Sequence, residues 1–276
     1  MPSNREAYFL AINKGVSKSI VDFVLQEINS FTYSELAQHL DDEIKDYDKF
    51  QNAIERYLNG EMIEYILNKA YFLSTPFYVD KNVLIPRQET EQLVLRTKEL
   101  IKEMYGTSKI TIVDVCTGSG IIGLTLKKEL NNNDVYLTDI SESALEVAKK
   151  NAELLNLNAK CLLGDMLSPL IDSKIKCNVI VCNPPYISDV STIDEKTWSQ
   201  EPHIALLANP DTFFYEKVLK DYQKVVKDKY LLAFEIGEDM EESLKQLVIK
   251  FCADASYSFE KDIYGKTRFL FIKKDI

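Results

Sequence analysis

The sequence predicts an α/β protein: a largely parallel sheet covered by helices on both faces, preceded by a small helical bundle. Three observations lead there. Up to about Ser74, apolar residues recur at helical spacing. Beyond Lys109, short runs rich in Val, Ile, Leu and Cys alternate with helical stretches, the rhythm of strands buried on both faces. Near the C-terminus that rhythm breaks, and two strands follow one another with only a short link.

The elements follow in order. Val16, Ile20, Val21, Val24, Leu25 and Ile28 form one helical stripe, and Phe50, Ile54, Tyr57 and Leu58 another. Thr32-Tyr33-Ser34-Glu35 has the spacing of a capping box, and Gly60 stops the helix before it. Residues 1–74 are therefore expected to form a bundle of four or five helices. Phe77-Tyr78-Val79 and Val83-Leu84-Ile85 read as two strands around a turn, a β-hairpin linker over 75–90. Residues 91–276 form the sheet domain. Its strands are expected at Ile110–Val115, Val135–Thr138, Lys160–Leu163, Asn178–Cys182 and Tyr230–Glu235. Helices are expected at Ile121–Leu130, Ser141–Leu155, Phe213–Val226 and Met240–Phe251. The final strands, Ser256–Glu260 and Arg268–Ile272, pair antiparallel.

Composition narrows the function. No run approaches the roughly 18 apolar residues that span a bilayer, and the first residues lack a signal-peptide layout, so a cytoplasmic protein without a membrane partner is expected. The five cysteines (116, 161, 177, 182 and 252) stand singly in apolar runs, and the histidines are His39 and His203, so neither a metal site nor a disulfide framework is expected. The net charge is −10. Residues 1–74 carry 7 Lys+Arg against 12 Asp+Glu, a balance of −5. Such a segment suits a basic protein better than a phosphate backbone, and direct nucleic-acid binding is not expected.

Val113-Asp114-Val115-Cys116-Thr117-Gly118-Ser119-Gly120 is a buried strand running into a glycine-rich turn that opens a helix. Glycine lets the backbone approach a ligand, and the helix start offers free amides. Asp139 ends the next strand, 21 positions after Gly118, where a carboxylate can accept ribose hydroxyls. Gly118 to Gly123 also matches the dinucleotide pattern G-x-G-x-x-G, so the motif alone leaves nicotinamide and S-adenosylmethionine equally open. Two features favour S-adenosylmethionine. Asp165 follows the third strand, where its carboxylate could meet an adenine amino group with Met166 against the ring. A turn or N-cap acid is the other reading of Asp165. The fourth strand then ends in a motif that no dehydrogenase needs.

That motif is Asn183-Pro184-Pro185-Tyr186, placed where ligands bind in open α/β sheets. It suits a planar NH₂ group, whose delocalised lone pair makes a weak nucleophile that must be aimed. One N–H can be donated to the Asn183 side-chain carbonyl and the other to the Pro184 main-chain carbonyl. The two prolines stiffen the stretch and remove amide donors. Tyr186 can pack on the flat group.

These residues together resemble the PrmC/HemK family, which methylates the glutamine of the Gly-Gly-Gln motif in class I peptide-chain release factors. The likeness covers nearly the whole chain. It includes Ile85-Pro86-Arg87-Gln88-Glu89-Thr90-Glu91, the glycine turn, Asp139, the Asn183 motif, Glu201-Pro202, Phe234-Glu235-Ile236-Gly237, and Asp262 to Arg268. The resemblance implies a Rossmann-like class I methyltransferase sheet of seven strands, the last antiparallel. It implies an S-adenosylmethionine-dependent protein-glutamine N-methyltransferase acting in translation termination. Asn183, Pro184 and Tyr186 are the implied catalytic residues, with Pro185 completing the substrate motif. Cys116, Thr117, Gly118, Ser119, Gly120, Asp139, Asp165, Met166 and Asn183 are the implied cofactor contacts. The acidic bundle would help grip a basic release factor. Arg87 is either a phosphate or carboxylate contact or half of a structural salt bridge. Three positions depart from the family: Cys116 replaces a glycine, Gln88-Glu89 an aspartate pattern, and Met166 a residue that is often aromatic. The alternative function is exocyclic-amine methylation of adenine or guanine in a nucleic acid, which shares the Asn183 motif.

Overall fold

In a computed structural model, residues 1–275 are described, and the chain divides into two compact units, Met1–Lys69 and Ala70–Ile276. The first contains five helices: α1 (Asn4–Asn13), α2 (Lys18–Asn29), α3 (Tyr33–Gln38), α4 (Tyr47–Leu58) and α5 (Ile63–Leu67). The Thr32–Glu35 capping box forms as expected, and Ser3–Glu6 makes a second one. Val21, Val24, Leu25 and Ile28 of α2 bury against Phe50, Ala53 and Ile54 of α4. Leu58, read into the second stripe, is exposed. The buried polar groups are satisfied: Asn29 Nδ2 donates to Asn4 Oδ1 at 2.8 Å, and Asn4 Nδ2 donates to the His39 carbonyl at 2.9 Å. No helix among the described residues is long and apolar enough to cross a membrane.

The second unit opens with a hairpin of β1 (Ala70–Phe72) and β2 (Thr75–Phe77). The expected strands at 77–79 and 83–85 do not form a ladder. Distant side chains claim the amides of Tyr78 and Ile85 instead, while Val83 N donates to the Asp80 carbonyl. Asn151 bonds both the N–H and the carbonyl of Tyr78, at 2.7 and 2.9 Å, and Glu201 Oε1 accepts from Ile85 N at 3.1 Å. Asp80 closes the turn between them on Asn82 N. The apolar alternation that suggests a strand is here a segment laid over the sheet domain, with Val79 and Val83 buried.

Beyond the hairpin come α6 (Gln88–Tyr105), β3 (Thr111–Val115), α7 (Ile121–Leu130), β4 (Asp134–Asp139), α8 (Glu142–Leu154), β5 (Lys160–Leu163), α9 (Ser168–Asp172) and β6 (Cys177–Cys182). Then follow α10 (Glu195–Gln200), α11 (Phe213–Asp221), β7 (Val226–Glu235), α12 (Glu241–Phe251), β8 (Ser256–Lys261) and β9 (Thr267–Lys274). The seven main strands lie in the order β5-β4-β3-β6-β7-β9-β8. The last strand, β9, is antiparallel to both neighbours. Alternate residues of each strand feed two apolar layers. Ile112, Val179, Val181, Leu231 and Ala233 face α6 and α7, while Val113, Ile180, Leu232 and Phe234 face α11 and α12. The helix expected over 213–226 stops at Asp221, because a 3₁₀ turn buries Tyr222 and strand β7 starts at Val226. Chain order reverses between β3 and β6, so the turns leaving these two strands open a crevice.

Candidate active site

Two turns and a covering segment build the cleft in that crevice. Counting the open solvent at its mouth, the space between these segments is about 1040 Å³. The turn after β3 is organised from beneath by Asp114. Its Oδ2 accepts from Thr117 Oγ1 at 2.6 Å and from Gly123 N at 2.9 Å. Burial pushes this carboxyl up to about 7, against the pull of those two donors. Its Oδ1 has no partner among the described residues. Gly118 and Gly120 have φ of +53° and +82°, a conformation that glycine adopts without strain. Gly118 N donates to Asp139 Oδ2 at 2.9 Å, and Ser141 N to Asp139 Oδ1 at 2.9 Å. Each carboxylate oxygen keeps a second lone-pair direction, so Asp139 can still accept a pair of hydroxyls at the cleft wall.

Cys116, Thr117, Gly118, Ser119, Asp139, Asp165, Met166 and Asn183 all line the cleft. Gly120 does not. A Cβ there would meet Leu124 Cδ1 at 3.0 Å and Ala148 Cβ at 3.2 Å, so its place is in the packing of the helix start. Cys116 takes φ +57°, and its thiol lies 3.5 Å from Met166 Sδ. Asp165 is ion-paired with Lys217 of α11 and still borders the cleft. Ile140, 56% exposed, and Phe214 add apolar wall that sequence reasoning passed over.

The turn after β6 brings Asn183 and Pro185 to the same cleft. Pro184 is buried, and the Tyr186 ring packs into the apolar layer beneath β6. The Tyr186 hydroxyl donates to Glu235 Oε1 at 3.4 Å. Asn183 is held from behind: its Nδ2 donates to Thr90 Oγ1 at 3.2 Å, and Thr90 Oγ1 donates to Glu235 Oε2 at 2.7 Å. Glu235 ends β7 and is 2% exposed. Burial pushes its carboxyl up to about 7, opposed by the Thr90 bond and by Arg268. Burial likewise raises the Tyr186 phenol.

Arg87 pairs with Glu201, Nη2 to Oε2 at 2.5 Å, and the Glu201 carboxylate is wholly buried. The segment before α6 is thus clamped to the segment after α10, and Arg87 still borders the cleft. Thr90 also lines it. Sequence reasoning met Thr90 and Glu235 only as letters of motifs. The available signal was an acid closing an otherwise apolar strand, Leu231-Leu232-Ala233-Phe234-Glu235. Among the described residues no three His, Cys, Asp or Glu side chains gather as metal ligands.

A cleft with a hydroxyl-accepting carboxylate, apolar walls for a flat ring and an aimed carboxamide can hold a nucleoside-bearing donor against a planar nitrogen. Comparison with known proteins agrees. Residues 92–200 match the methyltransferase small domain family. A release factor glutamine methyltransferase of Mycoplasma mycoides subsp. mycoides is 36% identical over 268 residues, 95% of this chain and 94% of its own length. Its counterpart in Staphylococcus aureus is 34% identical, over 97% and 96%. A methyltransferase from Pyrococcus furiosus superposes with a TM-score of 0.55 at 18% identity, over 82% of this chain and 100% of its own, a likeness of fold. The chain belongs to the release factor glutamine methyltransferase family.

Proposed function

We infer that the protein transfers a methyl group from S-adenosylmethionine to the side-chain amide nitrogen of the glutamine in the Gly-Gly-Gln motif of class I release factors, tuning translation termination. The observation that carries this reading is the placement of the Asn183 carboxamide on the same cleft as the Gly118–Asp139 cradle, with its Nδ2 turned away to Thr90. The residues fit the cofactor. Asp139 offers acceptors to a ribose. Met166, Ile140 and Phe214 offer apolar surface to an adenine, and a side chain at Gly118 would find open space, leaving room along the turn.

When bound, the cofactor supplies an electrophilic methyl on a sulfonium. The chain's residues supply aim. Asn183 Oδ1 and the Pro184 carbonyl accept the two N–H groups of the substrate amide, which sets its plane and turns the out-of-plane direction toward the methyl carbon. Holding reactants this way is worth about 7–11 kcal/mol of barrier in favourable cases. The two carbonyl acceptors also favour the positive charge that builds on nitrogen. An N-methylated amide cation is a strong acid and loses its proton to water, so no strong base is required. Tyr186 and Pro185 stiffen the turn, while Cys116, Thr117, Ser119 and Asp165 complete the cofactor side.

A release factor works on the ribosome, so the activity belongs in the cytoplasm. A basic partner suits the acidic helical unit, and no direct nucleic-acid contact is required. The test is methyl transfer from labelled S-adenosylmethionine to a purified class I release factor, intact and with the motif glutamine replaced, alongside RNA and DNA. Label confined to the intact factor is expected. Equal labelling of both factors, or label on nucleic acid alone, would sink the assignment; the latter would install the exocyclic-amine alternative.

A further inference from the structure

We propose that Thr90 and Glu235 are positioning residues that decide which end of the Asn183 amide faces the cleft, so that the site is competent only while Glu235 is ionised. The inference rests on the methyl-transfer reading above and deepens it.

A carboxamide is nearly symmetric in shape, yet its two ends are opposite in function. An oxygen facing the cleft accepts an N–H from a substrate amide, whereas an NH₂ there sets donor against donor. Nothing in the Asn183-Pro184-Pro185-Tyr186 turn itself chooses between the ends. The choice is made one bond further back. The Thr90 hydroxyl has a single proton. Glu235 Oε2 lies 2.7 Å from Thr90 Oγ1, and an ionised carboxylate can only accept, so the proton goes to Glu235. Thr90 then shows Asn183 only lone pairs. The group 3.2 Å away must be the Nδ2 donor, and the oxygen takes the opposite end.

Protonation reverses every step. A neutral Glu235 can donate to Thr90, which frees the Thr90 proton for the Asn183 oxygen and turns the NH₂ toward the substrate. The surroundings put this choice within reach of ordinary conditions. Burial pushes the Glu235 carboxyl up to about 7. The groups facing it are Thr90 and Glu89 from the start of α6, Tyr186 from the turn after β6, and Arg268 from β9. Tyr215 of α11 donates to the Glu235 main-chain carbonyl at 2.7 Å. Arg268 favours the ionised form and is itself shared with Asp262 and Glu238, while Glu89 opposes it.

The test uses the full chain with S-adenosylmethionine and a purified release factor, comparing Thr90→Val, Thr90→Ser and Glu235→Gln. The wild type should show kcat rising with pH through a limb near neutrality. Thr90→Val should lower kcat by about 100-fold, the scale of a small misplacement at a reacting centre. Its cofactor affinity should stay unchanged, and Thr90→Ser should recover most of the rate. Glu235→Gln should be slower than wild type and flat across the limb. A second readout needs no turnover: in the cofactor-free protein, the ¹⁵N and ¹H resonances of the Asn183 side-chain amide should titrate with the same midpoint as the Glu235 carboxyl, and should stop doing so in Thr90→Val. If the wild type methylates the factor but Thr90→Val matches its kcat, or Glu235→Gln keeps the limb, the positioning role fails and the function stands. If the wild type transfers nothing, the function fails, and the amide titration alone decides the polarity argument: a static Asn183 resonance overturns it.

Discussion

The turns after β3 and β6 leave neighbouring strands side by side, and each is backed by one buried acid pushed up to about 7. The resemblance ends there. Asp114 is held by its own turn, with partners Thr117 and Gly123 only three and nine positions along the chain. Glu235 is held by Thr90, 145 positions away, and by Tyr186, 49 positions away. On the proposed reading, the first turn would meet the cofactor largely with backbone: amides, positive φ and a glycine whose missing side chain leaves room, with Asp139 beside it. The second would meet the substrate with one side chain that other side chains orient. A backbone site tolerates substitution of its side chains wherever the turn leaves them room. A side-chain site fails when any link behind it goes.

The largest expected effect breaks the comparison at the second turn. Asn183→Ala removes the aimed acceptor and should lower kcat by about 100- to 1000-fold, the range for losing one preorganised group at the reacting centre. The first turn is untouched, so calorimetric titration should show cofactor affinity largely intact, the loss in kcat far exceeding any loss of binding at Asn183 itself. A parallel loss of binding and turnover would mean that the two turns do not divide the work.

The next largest effect attacks the first turn through its backbone. A Cβ on Gly123 would collide with Leu137 Cδ2 and sit 2.9 Å from Asp114 Cβ. Gly123→Ala must push α7 off β3 and β4, at about 1–3 kcal/mol for an overpacked core. Asp114 loses alignment with its Gly123 amide in the same movement. Denaturant unfolding should show the lower stability, and cofactor affinity should fall with it. Wild-type stability in this variant would show that the close approach of helix and strand is dispensable.

The same contrast explains what could be read from the sequence. The strands β3 to β6 appear within a residue or two of their observed ends, because runs such as Ile110–Val115 and Asn178–Cys182 are apolar on both faces. The β3 turn, with Asp114, Thr117, Gly118 and Asp139, is legible because its hydrogen bonds close over short separations. Helix α6 was open to the same reasoning, since Leu93, Val94, Leu100, Ile101 and Met104 repeat at helical spacing. The segment from Tyr78 to Ile85 was not. Its alternation is that of a strand, but the distant side chains of Asn151 and Glu201, together with the turn at Asp80, take up backbone groups that a ladder would use. Thr90 and Glu235 are hidden for the same reason: no periodicity registers a hydroxyl donating across 145 positions.

The smallest effect separates the two buried acids by pH. Asp114 ionises at an ordinary 3.8 when exposed and at about 7 in the folded chain. A raised folded value means the folded state holds its proton more tightly. The stabilisation is therefore full below the unfolded value, falls as pH rises between the two, and is gone above about 7. Glu235 has the same sign, rising from 4.5 to about 7. The wild type should accordingly melt at lower temperature at pH 8 than at pH 5. Asp114→Asn keeps the shape of the protonated acid and deletes one of the two titrations. Its amide oxygen can take the Thr117 and Gly123 donors, while its NH₂ occupies the place of the unpartnered Oδ1, which costs a constant amount at every pH. The variant's melting curve should therefore be offset but flatter between pH 5 and 8, with the remaining slope belonging to Glu235 together with the other acids that burial raises, Asp139 and Glu201 among them. Parallel curves for wild type and variant would mean that Asp114 is ionised throughout, held so by donors in its own turn, and that the two turns differ in electrostatics as well as in reach.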